Sequence, residues 1–209
     1  MMMKIILVAL VLLFNSAVLS AQKTVFFLHN AFLESYTLDD AHPEYGKCEY
    51  KQILAAFTKA NFRVISEIRP KNTNPKEYST KIIRQIDSLI ALGTKPSDIT
   101  VVGTSRGGYI AQYVSTAMKN KDINYVLIGC CSDDDIAGMP AISLTGNILS
   151  IYEQSDTMGQ SCQKLKDRSK GVQHFKEIEL TTGLKHGFLY KALDGWLAPS
   201  IRWAKRKYK

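Results

Sequence analysis

The sequence lacks several motifs that would identify a protein's chemistry at once. None of its four cysteines forms a Cys-x-x-Cys pair, which argues against a zinc ribbon or a thioredoxin-like redox site. No Gly-x-Gly-x-x-Gly run is present, so the usual dinucleotide-binding turn is excluded. The sequence also shows no internal repeat, no low-complexity tract and no interdomain linker. Residues 22–209 are therefore expected to form a single domain with a full hydrophobic core.

A hydrophobic run long enough for a comfortable membrane span, about 20 residues, is also missing. The longest candidate, residues 5–14 (IILVALVLLF), follows Lys4 and precedes a small-residue stretch that ends at Ala21. This order is typical of a secretory signal peptide. We expect residues 1–21 to be removed and the mature chain to be secreted or periplasmic, without a stable membrane span. An uncleaved N-terminal anchor is the alternative.

Positive charge exceeds negative charge, with a formal net charge of +8. Removal of the predicted signal peptide takes away one cation, Lys4, and leaves +7. Much of the excess lies in residues 202–209 (RWAKRKYK), which we interpret as a solvated C-terminal segment. No nucleic-acid-binding motif accompanies it, so nucleic acid is not an expected partner.

Strand-like and helix-like segments alternate along the mature chain. The strand-like segments are residues 24–28, 62–68, 99–102, 123–128, 148–152 and 175–180. The helix-like segments are residues 48–60, 75–92, 107–119, 160–168 and 192–207, the last with an interruption near Pro199. This alternation predicts an α/β fold with a mostly parallel six-stranded sheet and helices on both faces. Residues 30–47 and 133–147 are expected to be long irregular loops near the functional site.

One serine stands in a motif with a defined mechanical meaning. Residues 103–107 (GTSRG) fit Gly-x-Ser-x-Gly, follow the apolar run DITVV and open a helix-like segment. That context predicts a sharp strand-to-helix turn with Ser105 as an exposed nucleophile. A phosphate-binding loop is excluded because Gly108 is followed by Tyr109 rather than by Lys and Ser or Thr.

A serine nucleophile needs a base and an acid, expected in the order Ser, acid, His. Of the two histidines after Ser105, His174 precedes a strand, at the wrong end for chemistry, whereas His186 follows the last strand. We predict His186 as the base and Asp156, after the preceding strand, as the acid. The alternative acids are a run of aspartates one strand earlier and a glutamate at the strand end: Asp133, Asp134, Asp135 and Glu153.

The oxyanion hole of such an enzyme requires two N–H donors. The predicted donors are the backbone N–H groups of Arg106 and of Ala31, the latter in the loop after the first strand, with Asn30 as a fallback. His29 is expected to brace this loop. Substrate contacts are assigned to three polar residues, Asn30, Glu34 and Arg69.

The cysteines allow a disulfide in an exported chain. Cys130 and Cys131 end one predicted strand, and Cys162 follows the next by about ten residues. In a parallel sheet these loops lie at the same end, beside Asp156. A bond from Cys162 to Cys131, or to its neighbour Cys130, is therefore expected, and buried free thiols are the alternative.

The segments LHNAF, GTSRGG and KHGF, together with Asp156, resemble the α/β-hydrolase family, over residues 24 to about 203. The chain is similar in particular to small bacterial hydrolase-like proteins that lack a cap domain, through HPEYGKCEYKQIL, RVISEIRPKNT, SIYEQSD and LTTGLKHGFLY. The resemblance implies a minimal version of an eight-stranded sheet without its first two strands. Many members have His-Gly in the first loop, where this chain has His29-Asn30.

The expected function is therefore an exported serine hydrolase, a carboxylesterase acting on small or surface-presented esters. Ser105 attacks the acyl carbon, His186 transfers protons, Asp156 orients His186, and no metal or organic cofactor takes part. A non-catalytic binding or scaffold protein on the same fold is the alternative from a different class.

Overall fold

A computed structural model of the protein describes residues 22–209, and the predicted signal peptide lies outside them. Eight β-strands follow one another along the chain: β1 (Thr24–Leu28), β2 (Ala41–His42), β3 (Gly46–Lys47), β4 (Arg63–Ile65), β5 (Ile99–Thr104), β6 (Asn124–Ile128), β7 (Thr145–Glu153) and β8 (Gly171–Leu180). Six α-helices lie between and after them: α1 (Tyr50–Lys59), α2 (Pro75–Ala91), α3 (Arg106–Met118), α4 (Asp133–Gly138), α5 (Gln163–Asp167) and α6 (Asp194–Ala204).

Six strands form one sheet in the order β4-β1-β5-β6-β7-β8, and every neighbouring pair is parallel. The predicted α/β architecture is confirmed, and the sheet is parallel throughout. The two-residue strands β2 and β3 pair separately as an antiparallel hairpin. Because the carboxyl ends of parallel strands share one edge, the loops after β5, β7 and β8 meet there.

Side-chain alternation along the buried strands builds two hydrophobic layers. Val25 and Phe27 of β1 face a cluster that includes α1 and α6, whereas Phe26 and Leu28 face a cluster that includes α2 and α3. This is the period-two alternation of a strand with both faces covered. The sheet is thus packed between two helical layers. The edge at the carboxyl ends of its strands supports the site.

Several boundaries differ from the sequence expectation. Strand β4 is shorter than residues 62–68 because the Ser66 hydroxyl, rather than a continued ladder, bonds the Phe27 carbonyl at 2.6 Å. Strands β7 and β8 begin earlier than expected and pair across a bulge at Gly146 and Asn147. Helix α6 is not interrupted at Pro199. It continues because its buried tryptophans pack on the sheet layer.

The two loops expected to be irregular contain short elements. Residues 30–47 hold a 3-10 helix (Phe32–Glu34) and the β2–β3 hairpin, and residues 133–147 hold α4. The Ser132 side chain caps α4 by accepting from the Asp135 N–H at 3.1 Å. Within residues 22–209, the structure contains no helix with the length and hydrophobicity that crossing a membrane requires.

Candidate active site

Ser105 occupies the sharp turn between β5 and α3. Its backbone has φ 49° and ψ −118°, a conformation that residues with a side chain rarely adopt. Two hydrogen bonds hold the turn: the Ser105 N–H donates to the Ile128 carbonyl at 2.9 Å, and the Ser105 carbonyl accepts from the Gly108 N–H at 2.7 Å. Strain of this kind persists only where the surroundings impose it, and it is concentrated at functional sites.

The two motif glycines are required by close backbone contact. A Cβ on Gly103 would lie 2.3 Å from the Gly107 carbonyl oxygen, inside the turn itself. A Cβ on Gly107 would lie 2.0 Å from the carbonyl oxygen of Leu28, at the end of β1. The second contact shows that α3 begins directly against the loop that follows β1.

His186 lies between Ser105 and Asp156. It belongs to a 3-10 helix, Lys185–Tyr190, that follows β8. Its Nε2 is 3.0 Å from the Ser105 Oγ, and its Nδ1 is 2.6 Å from the Asp156 Oδ2. A carboxylate only accepts, so Nδ1 carries the proton and Nε2 is left to accept from the serine hydroxyl. The three side chains thus form one continuous hydrogen-bonded series, the geometry that a Ser-His-Asp triad requires.

Asp156 is held in a tight turn just beyond the end of β7. Its N–H donates to the Glu153 carbonyl at 2.9 Å, and its Oδ1 accepts from the Met158 N–H at 2.9 Å. One carboxylate oxygen is therefore fixed by the backbone, and the other is directed at His186. The side chain is almost completely buried.

The alternative acids do not contact His186. Asp133 forms an ion pair with Lys164, and Asp135 accepts from the hydroxyls of Tyr109 and Ser132, each at 2.6 Å. Burial and the Asp135 carboxylate raise the pKa of Tyr109, which keeps this phenol protonated as the donor. The aspartate run therefore forms the first turn of α4 and lines the cavity beside the serine.

Glu153, the last of the alternative acids, holds the histidine loop instead. Its buried carboxylate accepts five hydrogen bonds, two from Ser155, two from Thr182 and one from the Gly183 N–H. Burial alone would raise the pKa of Glu153, but these hydrogen bonds outweigh it and lower the pKa. The feature of the sequence that could have indicated this role is a carboxylate at the very end of a strand, three residues before the predicted acid Asp156.

His29 braces the first loop, as its position suggested. Its Nδ1–H donates to the Asn30 carbonyl at 2.6 Å, and its Nε2 accepts from the Arg69 N–H at 2.9 Å. Burial, followed by the charge of Arg69, lowers the pKa of His29 to about 3. The ring is therefore neutral at physiological pH and acts as a fixed bridge between two loops.

The three predicted substrate contacts are buried and engaged with the protein itself. Arg69 Nε donates to Glu34 Oε1 at 3.0 Å, and the same guanidinium reaches the carbonyls of His29 and Asn30. The Asn30 side chain accepts from the Phe32 N–H at 3.1 Å. Relative exposures of 3% for Asn30, 8% for Glu34 and 2% for Arg69 correct the prediction that these side chains meet substrate. They fix the shape of the first loop.

The two predicted oxyanion donors are backbone groups without another role. Among residues 22–209, the N–H groups of Ala31 and Arg106 have no backbone or side-chain acceptor. Ala31 starts the 3-10 helix of the first loop, and Arg106 is the first residue of α3, where N–H groups lack helical partners. Asn30, at the position often held by glycine, does not have a positive φ, and its side chain accepts from the Phe32 N–H.

An open cavity of about 550 Å³ lies above the serine and histidine. Its other lining residues are mostly polar: Tyr109, Ser132, Asp133, Asp134, Asp135, Thr157, Met158 and Gln160. The one group of three or more possible metal ligands in the described part of the chain is Cys130, Cys131 and Cys162. Cys131 and Cys162 form a disulfide with each other, so the group cannot supply three thiolate ligands to a metal ion.

A disulfide joins Cys131, just after β6, to Cys162, just before α5, across 31 residues of sequence. The Cα atoms are 5.2 Å apart, within the usual range for such a bond. Cys48 and Cys130 are free and buried, and burial raises the pKa of the Cys130 thiol to about 12. The bond encloses the segment that carries Asp156.

Comparison with known proteins supports the same architecture. Residues 47–128 match the model of a family described as "Uncharacterised protein family (UPF0227)", a match that covers less than half of the chain. No curated protein sequence matches the chain.

Solved structures are similar to the chain over most of its length. SOBER1 from Arabidopsis thaliana is 17% identical, with a TM-score of 0.58, covering 90% of this chain and 100% of that one. A structure from a study of the metagenome-derived lipolytic enzymes LipS and LipT is 11% identical (TM-score 0.58, 88% of this chain, 94% of that one). YbtT, a type II thioesterase of yersiniabactin biosynthesis, is 8% identical (TM-score 0.56, 91% and 96%). The chain has the α/β-hydrolase fold, without an evident cap.

Proposed function

We propose that the protein is a serine hydrolase that cleaves carboxylic esters through an acyl-enzyme intermediate. The observation that carries the proposal is the continuous hydrogen-bonded series from Ser105 through His186 to Asp156. Its members come from the ends of three different strands, and their order along the chain is serine, acid, histidine, as expected on this fold.

In the proposed mechanism, His186 Nε2 removes the proton from the Ser105 hydroxyl as its oxygen attacks the acyl carbon. The imidazolium that forms is stabilised by Asp156, which stays ionised. His186 then delivers the proton to the leaving alcohol. Water, activated by the same nitrogen, attacks the acyl-enzyme, and Ser105 regains its proton as the acid product leaves.

The oxyanion of each tetrahedral intermediate is assigned to the N–H groups of Ala31 and Arg106. Both groups lack an internal acceptor, and Arg106 begins a helix whose N-terminal end favours negative charge. The His29, Glu34 and Arg69 contacts hold the first loop, so this donor pair is arranged before substrate arrives.

The substrate is proposed to be a small or surface-presented ester. The cavity is open, and no cap covers it among the residues that the structure describes. The similarity to a lipolytic enzyme and to a thioesterase favours acyl transfer to water. The signal-peptide pattern and the disulfide together support a secreted or periplasmic location, because disulfides persist in oxidising compartments.

The direct test is labelling of the purified mature protein with a fluorophosphonate, which reacts covalently with activated serines. We expect one label on Ser105, loss of label in Ser105→Ala, and retained label in Ser132→Ala, a serine that lines the same cavity without a histidine partner. Turnover of p-nitrophenyl acetate should fall at least about 10²-fold in Ser105→Ala.

Circular dichroism and thermal unfolding of each variant confirm that the fold is kept. A folded wild-type protein that takes no label and turns over no ester would refute the proposal. It would favour the alternative of a non-catalytic binding protein on this fold.

A further inference from the structure

Two further cavities continue from the Ser105 cavity along the surface of α3. A middle cavity of about 330 Å³ shares Tyr109 and Asp135 with the Ser105 cavity. An outer cavity of about 420 Å³ shares Lys76, Tyr113 and Met139 with the middle one. The three cavities therefore adjoin through common walls, and we call the row that they form along α3 the groove.

The floor of this groove is a single row of side chains on α3. Ser105, Tyr109, Tyr113 and Ala117 follow one another at intervals of four residues, and such residues lie on the same face of a helix. The row starts at the proposed nucleophile. At 1.5 Å per residue it extends about 18 Å, the reach of an extended hydrocarbon chain of about fourteen carbons.

The two side walls of the groove become more apolar with distance from Ser105. On one side stands the first half of α2, which presents Ile83 at the outer end, and on the other the segment after α4. The apolar residues of the outer cavity are Ile83, Tyr113, Ala117, Met139, Pro140, Ala141 and Ile142. Lys76 is the one charged residue of that cavity, and it is exposed at the rim, where its ammonium reaches water.

We propose that this groove binds the acyl chain of the substrate, and that the enzyme acts on esters of medium to long unbranched fatty acids. This inference rests on the proposed function and narrows its substrate class, from small or surface-presented esters in general to those with a medium to long acyl chain. The carbonyl carbon lies at Ser105, and the hydrocarbon passes Tyr109 and ends in the outer cavity. The bond from Tyr109 to Asp135 fixes the ring at the boundary between the first two cavities, so the hydrocarbon passes over this pair of side chains.

The test is a series of p-nitrophenyl esters, from acetate through butyrate and octanoate to dodecanoate, each below its micelle-forming concentration. Burial of each methylene strengthens binding by up to about fourfold. A half-open groove buries each methylene only in part, so we expect about twofold for each. We therefore expect kcat/KM to rise at least about tenfold from butyrate to octanoate.

Ala117→Trp should fill the outer end of the groove, since this residue is exposed on α3 and the indole has room there. We expect kcat/KM for dodecanoate to fall about tenfold or more, and that for butyrate to stay within about twofold. The control is Arg84→Trp, which places the same bulk at an exposed position of α2 outside the groove. It should leave kcat/KM unchanged for both esters.

Turnover of short esters with no gain from chain length, and no selective loss in Ala117→Trp, would overturn the groove and leave the proposed function intact. Failure of the proposed function is recognised separately, by the absence of both label and turnover. In that case, titration of Ser105→Ala protein with sodium dodecanoate measures directly whether the groove binds a hydrocarbon chain. Saturable binding that Ala117→Trp weakens supports the groove, and absence of binding overturns it.

Discussion

Replacing Glu153 by glutamine tests whether a residue outside the triad sets the position of His186. The glutamate carboxylate accepts five hydrogen bonds, three of them from Thr182 and Gly183, which precede His186 by only a few residues. Glutamine keeps the size of the side chain, but its NH₂ group replaces one accepting oxygen. At least one backbone N–H group, that of Thr182 or that of Gly183, then points at the glutamine NH₂ group, which cannot accept its hydrogen bond.

The expected loss in unfolding free energy is about 2–4 kcal/mol. One buried donor without a partner costs about 1–3 kcal/mol, and the remaining bonds lose the strengthening that an ionised acceptor provides. The catalytic loss follows from displacement of the loop. A shift of about 1 Å in a catalytic group costs on the order of 10²-fold, and we expect it mainly in kcat, because the histidine and not the substrate cavity moves.

Urea unfolding and p-nitrophenyl ester kinetics measure the two effects on the same preparation. Glu177→Gln is the matched control, since Glu177 also accepts hydrogen bonds at this edge of the sheet, from Ser161 and Cys162, but does not bond the histidine loop. The control should lose some stability and keep kcat. A Glu153→Gln protein with wild-type stability and wild-type kcat would refute the reasoning.

The stability difference between wild type and Glu153→Gln should depend on pH. The pKa of Glu153 is lower in the folded protein than its ordinary value of 4.5, so the carboxylate stabilises the fold fully above that value. As the pH falls through the lowered folded pKa, protonation removes this contribution. Unfolding midpoints of the two proteins should therefore differ most near neutrality and converge progressively as the pH falls below 4.5.

Three further results are expected. Gly107→Ala should give little or no folded protein, since its Cβ would lie 2.0 Å from the Leu28 carbonyl, and a soluble protein with an unchanged melting temperature would contradict the close packing at the turn. Asp156→Asn should lower kcat about 10³- to 10⁴-fold with the fold intact, whereas Asp133→Asn should keep wild-type kcat; equal losses in both would reassign the acid. Reduction of the disulfide, which spans 31 residues, should lower the unfolding free energy by about 3–4 kcal/mol. Unfolding curves that match with and without reductant would exclude that role.

The sheet was predictable because strong local patterns specify it. The apolar run that includes Val101 and Val102, ending at the glycine-flanked Ser105, indicates a buried strand and a turn, and both are present. Residues at strand ends could be grouped at one edge because parallel strands all end on the same side. That rule predicts from the sequence that Ser105, Asp156 and His186 lie close together.

Side-chain direction was not predictable in the same way. Glu34 and Arg69 are polar residues in loops, which sequence patterns associate with solvent and ligands, yet they neutralise each other in the interior. Their pairing depends on a contact across 35 residues, and local periodicity contains no information on it. The role of Glu153 was missed for the same reason, because its donors lie about 30 residues away.

The wide spacing of the triad along the chain bears on when the protein becomes active. His186 follows Ser105 by 81 residues and Asp156 by 30. A polypeptide that is synthesised from its N-terminus therefore presents the serine turn long before the base arrives. On the proposed mechanism, hydrolytic capacity appears only in the last stage of biogenesis, when β8 has joined the sheet. Any esters met by the growing chain before that stage would be left intact.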